Sequence, residues 1–164
     1  MKALRIAACL LTIVSASAAL AQSDAQKSFD QLKALTGSWD GKNSMGEPVQ
    51  VTYRMTGEGS ALMSEINGHG HDMISMFTLD GANRLILTHY CSVGNQPRML
   101  ASGSPDGKTI SFNFYDATNL DSPQSGHMDH MVITMLGPDR HIEEWVFADH
   151  GKEHKEVFDL SRKN

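Results

Sequence analysis

Cysteine is scarce in this chain of 164 residues, which contains only Cys9 and Cys91. Cys9 lies in an apolar run near the start, so Cys91 is the only thiol in the chain that follows residue 21. That part of the chain cannot form an internal disulfide. Exported proteins usually carry cysteines in pairs, whereas an isolated cysteine is often a small buried apolar side chain. We therefore expect packing and backbone hydrogen bonds to stabilise the fold.

Positive charge is also in short supply, with 14 Lys and Arg against 19 Asp and Glu and a net charge of −5. An acidic chain without a basic stripe argues against binding to nucleic acid. It also argues against binding to an anionic membrane surface. After Val14 no apolar run approaches the roughly 20 residues that a membrane-spanning helix needs. We expect no nucleic-acid partner and no membrane span after residue 21, and the sequence identifies no protein partner.

The first 21 residues have the pattern of a secretory signal peptide. Lys2 and Arg5 precede an apolar run over residues 6–14, and Ala19-Leu20-Ala21 supplies the small residues read at a cleavage site. This pattern predicts cleavage after Ala21, which leaves one domain of residues 22–164 in the periplasm or outside the cell. An uncleaved membrane anchor is the alternative, but the apolar run is too short to span a bilayer.

One helix is predicted at the start of this domain. Ser23 is a suitable N-cap, with Gln26 three residues later, and Phe29, Leu32 and Leu35 recur at helical spacing. Gly37 is expected to end the helix.

The remainder reads as strands separated by turn signals such as Asp80-Gly81 and His150-Gly151. Many short strands without crossover helices indicate antiparallel pairing, in a sandwich or in a closed barrel that removes the exposed edges. We predict an all-β fold, an up-and-down antiparallel barrel of about ten strands. Two longer breaks, 92–97 and 117–126, are expected to carry binding groups. The predicted strands are one around residue 39 and those at 49–55, 60–66, 73–79, 84–91, 98–102, 109–115, 128–136, 142–148 and 153–160.

The segment Leu35-Thr36-Gly37-Ser38-Trp39-Asp40-Gly41 resembles the L-x-G-x-W-x-G opening of lipocalin-like and calycin-like barrels. The resemblance implies that the Gly and Trp close one end of the barrel. A nearer likeness, over almost the whole domain, is to exported bacterial lipocalin-like proteins of unknown function. More distantly the chain is similar to nitrobindin-type barrels, in which a histidine ligates haem iron. The segments that carry the nearer likeness are Gly59-Ser60-Ala61-Leu62, Thr88-His89-Tyr90-Cys91, Gly94-Asn95-Gln96-Pro97-Arg98-Met99 and Gly126-His127-Met128.

The predicted ligand-binding residues lie on inward strand faces and at one strand–loop–strand corner. Residues 88–99 bring imidazole, thiol, amide and guanidinium groups to that corner, and Arg98 could recognise a carboxylate or phosphate. The alternative is that Asn95, Gln96 and Arg98 only hold a wide loop by hydrogen bonds. Strand alternation adds Tyr53 and His71, whose side chains would meet those of His89 and Cys91 in the lumen. The set is Tyr53, His71, His89, Cys91, Asn95, Gln96 and Arg98.

Two histidine pairs, His69 with His71 and His127 with His130, suggest a metal site. Imidazole with thioether or thiol suits copper, and imidazole with thiol or carboxylate suits zinc. The alternative is that the pairs are solvated strand ends and that the interleaved methionines fill the core. A copper, zinc or haem cofactor is therefore a hypothesis that the sequence does not favour.

Catalytic signatures are absent from the sequence, which has neither a G-x-S-x-G nor an H-E-x-x-H motif. Glu143 and Glu144 are adjacent on a predicted strand and should point to opposite faces. The sequence favours a binding protein over an enzyme. The leading hypothesis is an exported protein that holds a small, partly apolar ligand in the barrel lumen. The alternatives are a metal- or haem-binding barrel and a non-catalytic interaction module of the envelope.

Overall fold

A computed structural model describes residues 22–68, 71–103 and 107–163. The predicted signal peptide and His69 lie outside the described residues, and so does the side chain of His71. Each strand pairs antiparallel with the next, and the first strand pairs with the last to close a ten-stranded barrel. The predicted fold is confirmed. The elements are α1 Asp24–Lys33, β1 Gly37–Lys42, β2 Pro48–Thr56, β3 Ala61–Gly68, β4 His71–Asp80, β5 Arg84–Tyr90, β6 Gln96–Gly103, β7 Thr109–Thr118, β8 His127–Gly137, β9 Arg140–Asp149 and β10 Lys152–Arg162.

Helix α1 begins at the predicted cap, where the Ser23 hydroxyl accepts a hydrogen bond from the backbone N–H of Gln26 at 3.2 Å. The helix ends at Lys33, before the predicted boundary at Gly37. The reason is that Leu35 turns into the core, where its carbonyl accepts the indole N–H of Trp39 at 2.7 Å. Gly37 begins β1 instead, with a φ of 129°.

One end of the barrel is closed by α1 and by Trp39. The Arg162 guanidinium lies over the buried Trp39 ring, with Cζ 4.2 Å from the ring centroid. It also donates to the carbonyls of Ala34 and Thr36, each at 2.9 Å. Position 39 therefore closes this end, as the lipocalin-like resemblance implies.

The opposite end of the barrel is open and carries the longer loops, residues 43–47, 91–95 and 119–126. The 91–95 loop is compact because the N–H of Cys91 donates to Asn95 O at 3.1 Å and that of Gly94 donates to Cys91 O at 2.9 Å. Strand β5 consequently stops at Tyr90, one residue earlier than predicted. Within the described part of the chain, α1 is much too short to cross a bilayer and no other helix could do so.

Alternate residues along the strands face the interior, in the register that the sequence predicts for β2, β4 and β5. Direct cross-strand pairing places Tyr53 beside Ser64, Ser64 beside Ser75, and Ser75 beside His89. All four side chains are buried. The apolar core surrounding them includes Leu32, Trp39, Val51, Leu62, Phe77, Leu85, Leu87, Met99, Ile110, Phe112, Met131, Ile133 and Leu160.

The close approach of β1 to β10 depends on Gly41. A Cβ at this position would lie 2.1 Å from the carbonyl oxygen of Asp159, a backbone atom that cannot rotate away. We expect Gly41→Ala to lower the free energy of unfolding by about 2–3 kcal/mol through overpacking. Urea unfolding checks this against Gly137→Ala, where an added Cβ has nothing within 4 Å. Equal midpoints for the two variants would contradict the argument.

Candidate functional site

A cluster of polar side chains lies inside the barrel around the carboxylate of Glu143. It accepts hydrogen bonds from Tyr53 OH at 2.6 Å and from Trp145 Nε1 at 3.0 Å. His141 Nε2 lies 3.1 Å from the same carboxylate. All four side chains are buried, so the cluster joins the wall at β2 to the wall at β9 through the interior.

This cluster fixes the protonation of Tyr53. Burial, the charge of Glu143 and the hydrogen bond to Glu143 together raise the pKa of Tyr53 well above its ordinary value, and Ser64 opposes the shift. The phenol therefore stays protonated and serves as a donor. Neighbouring side chains occupy the hydrogen-bonding capacity of Glu143. This favours a structural role for Glu143 over a chemically reactive one.

His89 is the second buried polar group of the interior. Its Nδ1 lies 2.9 Å from Ser75 Oγ, and its ring packs at a tilt on Trp145 with the centroids 5.0 Å apart. Burial lowers the pKa of His89 from 6.5 to about 4. The imidazole is therefore neutral at neutral pH, and its Nε2 has no hydrogen-bond partner in the described part of the chain.

A pocket of about 310 Å³, here called the mouth pocket, lies at the open end of the barrel. Inward residues from β2, β3, β4 and β10 give it an apolar wall, and the loop between β1 and β2 borders it. Within the described lining Glu156 is the one charged residue, and its buried Oε1 has no hydrogen-bond partner among the described residues. The described lining is Asn43, Met45, Val49, Ile66, Gly68, Met73, Glu156 and Phe158.

The bordering loop is held in place by Asn43. Its Oδ1 accepts the backbone N–H groups of Met45 at 3.0 Å and Glu47 at 2.8 Å, while its Nδ2 donates to Glu47 Oε2 at 3.1 Å. The N–H of Val157 in β10 donates to Ser44 Oγ at 3.0 Å. These bonds fix the rim of the mouth pocket and give both polar atoms of Asn43 a partner within the loop. Of the described lining side chains, Glu156 is the one with a buried polar atom that lacks a partner.

A second cavity of about 400 Å³, the interloop cleft, lies between the loops 91–95 and 119–126. Asn95 spans it, with Nδ2 donating to Gly126 O at 2.8 Å. Asp121 and Asp149 also line the cleft, which is more open and more polar than the mouth pocket.

The fold has a known counterpart. The chain is similar to the crystal structure of Rv2717c from M. tuberculosis, with a TM-score of 0.59 and 14% sequence identity over 84% of this chain and 98% of that one. At this identity the likeness supports the barrel fold alone. No family model matches the sequence, and no curated protein matches it.

The predicted ligand-binding residues occupy three different places. Tyr53 and His89 are buried in the interior, and Cys91 is buried at the base of its loop. Asn95 and Gln96 join the loops, since Gln96 donates to Gly94 O at 2.9 Å and accepts from Thr118 Oγ1 at 2.8 Å. The binding role of these residues stays a prediction.

Arg98 lies in the third place, on the outer face of the barrel. Its Nε donates to Asp116 Oδ1 at 2.6 Å, and its Nη2 bonds the other carboxylate oxygen. The guanidinium is thus already engaged by a carboxylate of the neighbouring strand, and the structure does not bring it together with Tyr53 or His89.

The predicted metal ligands are not gathered into one described cluster. His127 Nδ1 lies 2.7 Å from Ser125 O, and its ring packs on Phe114, whereas His130 lies across from Asn113 and Val146 in the sheet. No group of three or more His, Cys, Asp or Glu that could hold a metal occurs among the described residues.

The described lining of the mouth pocket also contains no histidine that could ligate a haem iron. Copper, zinc or haem binding therefore stays a hypothesis.

Sequence reasoning missed Glu143 and Glu156 as interior groups. A signal was available for Glu156, which shares a strand face with Phe158 and Leu160. None was available for Glu143, because Glu143 and Glu144 both alternate with apolar residues.

Proposed function

We propose that this is an exported binding protein that holds a small, partly apolar molecule in the mouth pocket. The observation that carries the proposal is the mouth pocket of about 310 Å³, whose described lining consists of an apolar wall and one carboxylate. Small-molecule sites are concave and mostly apolar, with volumes of about 300–1,000 Å³ and a few polar groups that orient the ligand. Export rests on the signal-peptide pattern of residues 1–21.

The mouth pocket suits a guest better than the interior below it. The deeper polar groups Tyr53, His89 and Glu143 are buried and bonded to neighbouring side chains. A ligand there would have to displace packed side chains, whereas the mouth pocket is already open. Preformed sites bind without that cost of rearrangement.

Filling the pocket should weaken the binding of an apolar guest. We expect Met73→Trp to weaken the binding of N-phenyl-1-naphthylamine at least about tenfold, because the indole would occupy much of a cup only 310 Å³ in volume. Ile74→Trp is the matched control, since Ile74 is the next residue of β4 and is exposed on the outer face. Fluorescence titration gives the dissociation constants, and circular dichroism shows that both variants are folded.

Two results would contradict the proposal. One is the absence of saturable binding to the wild-type protein. The other is a folded Met73→Trp variant that binds the probe as tightly as Ile74→Trp does, because the probe would then occupy another surface, such as the interloop cleft.

A further inference from the structure

The carboxylate of Glu156 in the mouth pocket indicates which class of ligand the pocket binds. Glu156 lies in β10 opposite Trp145, on the inward face that continues through Phe158. Its Oε1 is buried, and none of the described residues donates a hydrogen bond to that oxygen. A buried acceptor without a donor is destabilising, and more so when it is charged. Among the described lining, Glu156 Oε1 is therefore an acceptor to which a guest could donate.

From this we infer that the guest of the mouth pocket carries a protonated amine on a small apolar body, with the ammonium group bound to Glu156. The inference rests on the proposed function and specifies its ligand class. A carboxylate offers acceptors and no donor, and an ammonium supplies both donors and the opposite charge.

Other guest chemistries fit the pocket less well. A carboxylate or phosphate would meet the like charge of Glu156, and the described lining has no cationic side chain to offset it. An alcohol could donate one hydrogen bond but would leave the carboxylate charge uncompensated. Asn43 is less suited to that role, because its Oδ1 and Nδ2 are already bonded within its own loop.

The size of the pocket limits the apolar part of the guest. A volume of about 310 Å³ is at the small end of ligand sites, so the apolar body of the guest must be compact enough to lie within the wall formed by Val49, Ile66, Met73 and Phe158.

Three probes of matched length separate charge from apolar burial: n-octylamine, 1-octanol and octanoate, each titrated calorimetrically into the purified protein. We expect octylamine to bind about 10- to 100-fold more tightly than octanol, as a charge-assisted hydrogen bond predicts, and octanoate to bind most weakly. Glu156→Gln keeps the shape of the side chain and should remove the preference for the amine, while the affinity for octanol stays within about twofold.

Glu153→Gln is the control for the overall charge of the protein. It removes one carboxylate from the same strand, at an exposed position on the outer face, and should keep the amine preference. Comparable thermal midpoints for the two variants would show that neither substitution disturbs the fold.

The outcomes distinguish the two proposals. If none of the three probes binds, the proposed function itself fails. If octanol binds as tightly as octylamine, or if Glu156→Gln retains the amine preference, the inference about the amine is overturned and the apolar binding site stands.

Discussion

Replacing Glu143 with alanine is expected to lower the free energy of unfolding by about 3–5 kcal/mol. The substitution removes the acceptor of Tyr53 OH, Trp145 Nε1 and His141 Nε2 in a site that water does not reach. Each buried donor left without a partner costs about 1–3 kcal/mol, and the lost side-chain volume adds a cavity. Urea unfolding followed by tryptophan fluorescence measures the change.

Glu144→Ala is the matched control for Glu143→Ala. Glu144 is the next residue of β9, but it points outward and forms an ion pair with Lys155 at the surface. Exposed pairs contribute at most about 1 kcal/mol, so this variant should stay close to the wild type. If both alanine variants lost the same small amount of stability, the polar cluster would not be a tie between the barrel walls.

The strand pattern could be predicted from the sequence because its signals are local. Alternation in β2 and the turn dipeptide Asp80-Gly81 depend on residues within a few positions of one another, and both match the structure. The boundary at Gly37 was wrong for a reason that is not local. The Leu35 carbonyl accepts the indole of Trp39, which enters the core only once the barrel has formed.

The interior chemistry could not be predicted in the same way. In β9 the inward face carries His141, Glu143 and Trp145, and the outward face carries Ile142, Glu144 and Val146. Both faces mix polar and apolar residues, so composition does not tell which one is inside. The hydrogen bond from Tyr53 to Glu143 joins residues 90 positions apart, and only barrel closure brings them together.

The sequence also could not predict which side chains of residues 88–99 lie together in the folded protein. The sequence brought His89 and Arg98 close along the chain, but strand pairing separates their side chains, with His89 inside and Arg98 bonded to Asp116 outside. Thr88 pairs directly with Arg98, so Arg98 shares the outward face of Thr88, opposite to the face of His89. This register depends on the geometry of the connecting loop, and no short motif in the sequence specifies it.

His89 should make the barrel lose stability as the solution is acidified. In the folded protein its pKa is about 4, against 6.5 for the group in its ordinary state. The unfolded chain therefore takes up a proton at higher pH than the folded chain does. The free energy of unfolding is highest above pH 6.5 and falls as the pH decreases toward 4, because the unfolded state binds more protons over this window.

The expected loss from His89 is about 3 kcal/mol between pH 7 and pH 4, since each unit of pKa difference corresponds to about 1.36 kcal/mol. Carboxylates also titrate toward pH 4. The effect of His89 is therefore measured as the difference between the wild type and a variant in how the free energy of unfolding depends on pH. His89→Met removes the titrating group with a side chain of similar size, and its profile should be flatter than that of the wild type by this amount.

His154→Gln serves as the comparison, because it removes an exposed histidine from β10. The comparison of slopes holds even if His89→Met changes the stability at pH 7, because that change shifts the whole profile and not its pH dependence. Parallel profiles for the wild type and His89→Met between pH 7 and pH 4 would mean that the imidazole is not held neutral by burial. The packing of its ring against Trp145 would then be looser than the 5.0 Å contact indicates.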